Sequence, residues 1–539
     1  MKSLPAMLVL ALVAAAPVVL LAEAAALKCP QCGTAVPDGA KFCPKCGTVI
    51  PNPAAGPAKC QQCGEALPDG ALFCPKCGAK VGVGAATPAA LLGESPGATA
   101  GPTPPPVFAE EKTPDALADE IMKEAEVIRQ AKFGNPFYRK VVAADEGRRL
   151  VEGELDSRYS GSRPEYINGV ARLVGLIPAG CSVRQTYLDL LQDDVQAMYN
   201  DGGRTIHLVK RDTPNVPPLA RRLLFVQEFA NALDHQAGFM GMGRGSLEMR
   251  AGRHHECTIM VMCLVEGSGL LLQKRYLDKV QKEGTVSRAA ILQYTENEAA
   301  RYRRFLDKPV YFHVFLGAHV CGMRFLLRGQ PASAVADGKA TGEEALRAVG
   351  KDLPLSTEQI LHPEKFFDPE ARDGPISVSD FTVERLFNLT GGWSVSFKDV
   401  LGEMQCALLA RPKEPKPSPI ALGDPGYYMN EAAAGWGGDR FYLITKRKEG
   451  RPFTLGPAGD DASDYRGIWI TVWDAPKDRE EFIAAYEKNT PPPQEGRATE
   501  RLGQSSAIFF YGFDQAERGQ IMQRMRENPP TFTRAFIPL

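Results

Sequence analysis

The sequence predicts a multidomain chain: small cysteine modules at the N-terminus, a mainly α-helical region, and a C-terminal α+β region. Three observations carry this. Eight of the 13 cysteines crowd into positions 29–77. A stretch of Ala, Gly and Pro follows, with almost no aromatic residue. Beyond it, apolar residues recur at helical spacing and then, from about Phe387, alternate in strand-like runs. With 539 residues there is chain enough for two or three cores. Lys plus Arg number 63 against 64 Asp plus Glu, so no overall field favours nucleic acid, and a hydrophobic content of 44% is that of a globular protein.

Residues 1–26 place Lys2 before an apolar run from Leu4 to Leu21, followed by small residues around Ala22, Ala24 and Ala26. This is the layout of a secretory signal with an A-x-A cleavage site. The run is also close to the ~18 residues that span a bilayer, so an uncleaved anchor in contact with the membrane fits as well. Either way the expected location is extracytoplasmic. Lys28, Lys41 and Lys45 just beyond the run oppose that orientation.

Residues 28–80 hold two copies of one pattern. Cys29, Cys32, Cys43 and Cys46 recur as Cys60, Cys63, Cys74 and Cys77, each quartet spaced C-x2-C-x10-C-x2-C. A glycine follows the second cysteine of every pair (Gly33, Gly47, Gly64, Gly78), where a tight turn brings two thiolates onto one ion. Phe42 and Phe73 supply small apolar plugs ahead of "CPKCG". The segment resembles a double zinc ribbon, which implies two structural zinc ions with closed four-thiolate shells and a surface for a protein partner. Disulfides are the competing use of these thiols in an oxidising compartment. The local excess of lysine is mild, and nucleic-acid binding is not expected.

Residues 81–112 are a Pro/Ala/Gly-rich linker, too poor in apolar side chains to fold alone. The main region, 113–385, opens with Thr113 as an N-cap and Pro114 at the first helical position, and Leu117, Ile121, Ala125 and Ile128 keep helical spacing. Val195–Tyr199 and Thr205–Val209 alternate like a hairpin around Asp201-Gly202-Gly203. Leu223–Gln236 reads as an amphipathic helix. A second helix, from His254, is apolar all round from Cys257 to Val265, the pattern of a buried helix. Glu266 lies within that run, so its carboxylate needs a partner or a proton.

The region 116–490 resembles a family of exported zinc-metallopeptidase-like proteins of bacteria and archaea, whose central helix reads HELTHALQDQ. The counterparts here are "MYNDGGRTIHLV" at 198–209, "QEFANALDHQ" at 227–236, "LVEGSG" at 264–269, "STEQILHPEKF" at 356–366 and "AAAGWGGDRFYL" at 432–443. The resemblance implies a mainly α metallopeptidase-like domain in which Glu228 stands at the general base and Glu266 at the third metal ligand. Gln227 and Asn231 stand where the family has its zinc-binding histidine pair. An amide oxygen is a weak neutral ligand, so a catalytic zinc loses its ground here, and Glu228 is the remnant of a base.

A rebuilt site is the alternative. His235 follows Asn231 by one helical turn, and His254, His255 and Glu256 could donate a ligand, although they read first as an exposed helix start where histidines are merely polar. His313 and His319 sit in an apolar stretch and read as core histidines. Ser356 with Gln359 forms a capping box rather than a nucleophile, and Pro363 interrupts the helix it opens. Region 386–539 predicts strands at "DRFYLITKR", "GIWITVWDA" and "SAIFFYGFD", helices at "KDREEFIAAYEKN" and "QAERGQIMQRMREN", and a tight turn at Trp436-Gly437-Gly438 leading into the sheet. A small sheet with helices on one face is expected. The function expected is binding or scaffolding by a degenerate peptidase-like domain, with peptide binding in its cleft as one form. A hydrolase with a rebuilt metal site and an envelope-tethered zinc-ribbon module are the alternatives.

Overall fold

The computed structural model describes residues 114–535, except for 136–137, 159–162, 193–194, 196, 201–203, 211–216, 237–253, 337–339, 414–415, 447–464 and 494. Of residues 1–113 it describes three two-residue strands. Leu27–Lys28 pairs antiparallel with Ala35–Val36, bracketing Cys29 and Cys32. Leu8–Val9 pairs antiparallel with residues 199–200. The eight ribbon cysteines, the linker and the rest of residues 1–26, expected to be a signal or an anchor, lie outside the described residues, as does Thr113.

Residues 106–539 belong to one compact unit, in which the helical and α+β regions share a core. Helix α1 (Pro114–Arg129) starts on its proline and buries Leu117, Ala118, Ile121, Ala125 and Ile128, one stripe of its surface. Strand β1 (Tyr138–Ala143) leads into α2 (Ala144–Arg158), α3 (Arg163–Val174) and α4 (Val183–Leu191). The predicted hairpin is present as β2 (Ala197–Asn200) and β3 (Thr205–Lys210), with Asn200 opposite Thr205. β1 lies parallel to β3 on the far side, a pairing the sequence did not suggest.

The centre is three helices. α5 (Pro218–Gln236) and α6 (His255–Lys282) cross, and α8 (Val314–Leu326) packs along α6 after α7 (Arg288–Leu306). As the unbroken apolar run predicts, α6 is buried on every side through its middle. It is the one described helix long and apolar enough to cross a membrane, and here it is core. α9 (Glu343–Lys351), α10 (Thr357–Leu361) and α11 (Glu364–Phe367) follow. Ser356 Oγ accepts the Gln359 N–H (3.3 Å) and Gln359 Oε1 accepts the Leu355 N–H (2.7 Å), which starts α10, and Pro363 separates it from α11.

After β4 (Ile376–Val378) and α12 (Asp380–Phe387) comes a five-stranded antiparallel sheet: β5 (Trp393–Asp399), β6 (Trp436–Lys446), β7 (Tyr465–Trp473), β8 (Arg497–Leu502) and β9 (Ser506–Tyr511). Its order is β8-β9-β7-β6-β5. Helix α13 (Gly402–Ala410) bridges β5 and β6, and β10 (Phe532–Arg534) pairs with β4.

Two expectations are corrected. Helices cover both faces of this sheet, not one. Phe441, Trp469 and Phe509 face α14 (Pro476–Asn489) and the main core, while Tyr442, Ile468, Ile470 and Phe510 face α15 (Gln515–Glu527) through Ile521, Met522 and Met525. Period-2 alternation of large apolar residues on both faces demands cover on both. Trp436-Gly437-Gly438 is already strand, and the turn lies just before it at Ala434 and Gly435, after a short 3-10 helix at Glu431–Ala433. Gly438 is needed because a Cβ there would strike the Ile376 carbonyl on β4.

Candidate functional site

Gln227, Glu228, Asn231 and Glu266 are brought together where α5 meets α6, and all are buried. The Gln227 amide N–H donates to Glu266 Oε2 (3.1 Å), and Gln227 Oε1 accepts from the Gln273 amide (2.9 Å). Gln273 also donates to the Leu223 carbonyl (2.9 Å), closing the chain on the backbone of α5. Glycines make this approach possible. A Cβ at Gly269 would lie 2.8 Å from Gln227 Cγ, so the "VEGSG" glycine leaves room for the amide. Gly267 and Gly322 let the backbones of α6 and α8 touch, which brings His319 of α8 within 3.4 Å of Glu266 Oε2.

His313 and His319 are core histidines as expected. His313 bonds to the Tyr427 hydroxyl (2.9 Å) and the Phe305 carbonyl (3.0 Å). His319 also borders the degenerate site, which the sequence did not reveal. It sits on a different helix, far along the chain, and no local spacing connects it with Glu266. Its Nδ1–H donates to the Phe315 carbonyl (3.0 Å), which turns Nε2 toward Glu266.

Glu228 does not bond to Gln227 or Asn231. Neither of its oxygens has a hydrogen-bond partner among the described residues, and the same is true of both amide atoms of Asn231. Burial pushes the Glu228 carboxyl well above the ordinary range, and the charge of Glu266 pushes it further. One turn on, Asp234 pairs with Arg129 of α1 (2.6 Å), and both bond to Ser268 of α6. His235 Nδ1 meets the Tyr199 hydroxyl (2.9 Å).

A zinc does not fit this donor set. The Gln227 oxygen is occupied by Gln273 and its N–H, which cannot ligate, points at Glu266. Among the described residues, one group of three His, Cys, Asp or Glu ligand atoms is close enough to share an ion: Glu358, Asp373 and Asp474. Lys365 Nζ already sits among them, 2.5 Å from Glu358, 3.4 Å from Asp474 and 3.7 Å from Asp373, and supplies the positive charge.

The start of α6 is not exposed, which corrects the expectation for His254, His255 and Glu256. His254 caps the helix through the Cys257 N–H (3.3 Å), and burial lowers its pKa to about 4. His255 is held by Asp399 (2.6 Å) and the Tyr311 hydroxyl. Glu256 accepts the Thr357 N–H (2.5 Å) and hydroxyl (2.9 Å); burial raises its carboxyl well above the usual range, and Asp439 and Glu403 add to the rise. Asp439 in turn accepts four N–H groups: Leu401 (2.9 Å), Gly402 (2.9 Å), Trp436 Nε1 (3.0 Å) and Trp469 Nε1 (3.1 Å). The "STEQILHPEKF" and "AAAGWGGDRFYL" stretches thus meet at one buried carboxylate junction between helices and sheet. It holds structure: each acid is occupied by backbone or side-chain donors. His362 belongs to it through Glu403 (2.9 Å). Burial, the largest single effect, would lower its pKa, and the bond to Glu403 together with the charges of Glu403 and Glu364 outweighs that and raises it.

Residues 29–78 match the family described as a double zinc ribbon, and residues 393–518 match a domain of unknown function, DUF8575. Neither match describes a peptidase. No curated protein and no solved structure matches the chain. The first match makes the N-terminal module a zinc-binding one, with the eight cysteines inside the matched residues.

Proposed function

We propose that this is an exported or membrane-anchored binding protein, in which zinc ribbons engage a protein partner and a metallopeptidase-like domain persists without peptidase chemistry. The hydrogen bond from Gln227 to Glu266 carries the reading. It closes, with an amide N–H, the gap that a metal would have to bridge between these two positions. Without a metal, nothing lowers the pKa of water from about 15.7 toward about 7. Glu228, buried and with its carboxyl pushed well above the ordinary range, then has no nucleophile to activate. The cleft-side residues are left to hold the fold, and recognition falls to the ribbons and to the surface of the domain.

The test compares the full-length protein with the Gln227→His/Asn231→His variant for zinc content and for cleavage of a broad peptide library. The parent should bind zinc at the ribbons alone and cleave nothing. Chelator-sensitive proteolysis by the parent that is lost in Glu228→Gln would overturn the proposal. A gain of one further zinc in the double variant would support descent from a peptidase. Export is tested separately: a reporter active outside the cytoplasm, fused after Ala90, should work.

A further inference from the structure

β1 is the outer strand of its sheet, with β3 on one side and no described strand on the other. The Tyr138 N–H donates to the Arg204 carbonyl (2.8 Å), and the parallel register sets Tyr138 against Thr205. The N–H and C=O groups of Tyr138, Lys140 and Val142 therefore turn toward β3, and those of Arg139, Val141 and Ala143 turn outward. The same strand carries exposed apolar surface. Tyr138 is 68% and Val141 53% exposed, and they are two of the three large apolar side chains exposed among the described residues. An outward row of backbone groups flanked by apolar side chains is a template for another strand.

The charges along the strand select the partner. Its start is basic, with Arg139 and Lys140, and the chain turns acidic directly after its end, with Asp145 and Glu146 in the first turn of α2. Such an edge is complementary to itself when reversed. A second copy laid antiparallel brings its acids to the basic start of the first, and its own basic start to the first copy's acids. A parallel copy would instead set Arg139 beside Arg139 and Lys140 beside Lys140, and like charges on neighbouring strands repel.

The outward amides also fix the register, because the residues that exchange N–H···O bonds across an antiparallel pair must both face outward. With a two-fold axis at Val141, Val141 meets Val141 of the second copy, Arg139 meets its Ala143 and Ala143 its Arg139, so every outward amide of β1 is used. Moving the axis to Lys140 sets lysine directly against lysine and leaves Ala143 beyond the end of the other strand. Moving it to Val142 leaves Arg139 in that position. We infer that two copies of this chain join edge to edge at β1 about a two-fold axis through Val141, giving one continuous sheet in the order β2-β3-β1-β1-β3-β2. The contact is isologous and short, so the dimer is a weak one that dissociates on dilution.

The test is sedimentation equilibrium over a range of concentrations on the full-length protein, on Val141→Lys, on Val141→Glu, and on an equimolar mixture of the two variants. The parent should show a reversible monomer–dimer equilibrium. Either variant alone places like charges across the axis and should weaken the dimer roughly tenfold. The exposure of Val141 lets the monomer carry both substitutions. The mixture should regain the dimer, since lysine then faces glutamate, a rescue that requires Val141 to meet Val141. A parent that is monomeric at every concentration would overturn the inference. So would a dimer that survives in both variants, or variants that stay monomeric when mixed. Hydrogen exchange gives one further check: protection of the Arg139, Val141 and Ala143 amides should rise with protein concentration, and protection independent of concentration would assign the edge to another segment of the same chain and overturn the dimer.

Discussion

Gly267 on α6 and Gly322 on α8 face each other with no room for a side chain between them. A Cβ on Gly322 would strike the Cys263 carbonyl oxygen, and one on Gly267 the backbone of Gly322. Both obstacles are helix backbone, which cannot swing aside as a flexible side chain would. The approach of His319 to Glu266 depends on this crossing.

Gly322→Ala should therefore destabilise the domain by about 3 kcal/mol, at the upper end of ordinary overpacking. Gly519→Ala, on α15 where a Cβ meets nothing, is the control and should have no such cost. Urea unfolding of both variants checks this. Equal midpoints would show that the two helices do not pack at backbone contact.

Glu228 gives a pH dependence with a definite sign. Its folded pKa lies well above the unfolded value near 4.5, so its contribution to stability is full below about 4.5 and is lost as pH rises toward the folded value. Glu256 acts in the same direction. The parent should be less stable at pH 8 than at pH 5, and Glu228→Gln, neutral at both, should flatten the difference and raise the melting temperature at pH 8. A variant less stable than the parent at pH 8 would mean that Glu228 is ionised and paired.

Asp439 differs from Glu228 in its partners: burial raises its carboxyl too, but it is saturated with donors. Removing it in Asp439→Ala strands four N–H groups and should cost about 3–5 kcal/mol. Asp439→Asn keeps one acceptor but turns an N–H toward the remaining donors, so it should recover only part of the loss. Chemical denaturation resolves the order Asp > Asn > Ala, and near-UV circular dichroism should report Trp436 and Trp469 losing their fixed environment.

The ribbons are tested by metal content. The reduced full-length chain should hold two zinc ions, and replacing Cys29, Cys32, Cys43 and Cys46 by serine should leave one. Zero zinc, with no free thiols in residues 28–80 by thiol titration, would replace the ions with disulfides.

Much of the fold was legible because local signals carry it. The β2–β3 hairpin, the apolar α6, the proline start of α1, the Ser356 cap, strands β6, β7 and β9 and helices α14 and α15 follow from spacing within a dozen residues, whereas β5, α13 and β8 were not read from the sequence. What the sequence left open is long-range. β1 pairs parallel with β3, a register that no turn specifies. His319 reaches Glu266 from another helix, and Glu256, Thr357 and Asp439 meet from three separate stretches. The amides at Gln227 and Asn231 could be read directly, whereas the closing of Gln227 onto Glu266 could not, since it depends on where Gly269 leaves space.

The burial of α6 has a consequence for the order of synthesis. Its 28 residues are complete before any of α8 has been made, and α8 supplies a large part of its cover. Until Val314–Leu326 emerges and docks, the nascent chain carries a helix with the length and composition of a membrane span on its open side. The cell must therefore shield that helix, or keep it from the insertion machinery, while α7 and α8 are being translated. The Gly267–Gly322 crossing ends that interval when it closes, and any substitution that slows it lengthens the exposure.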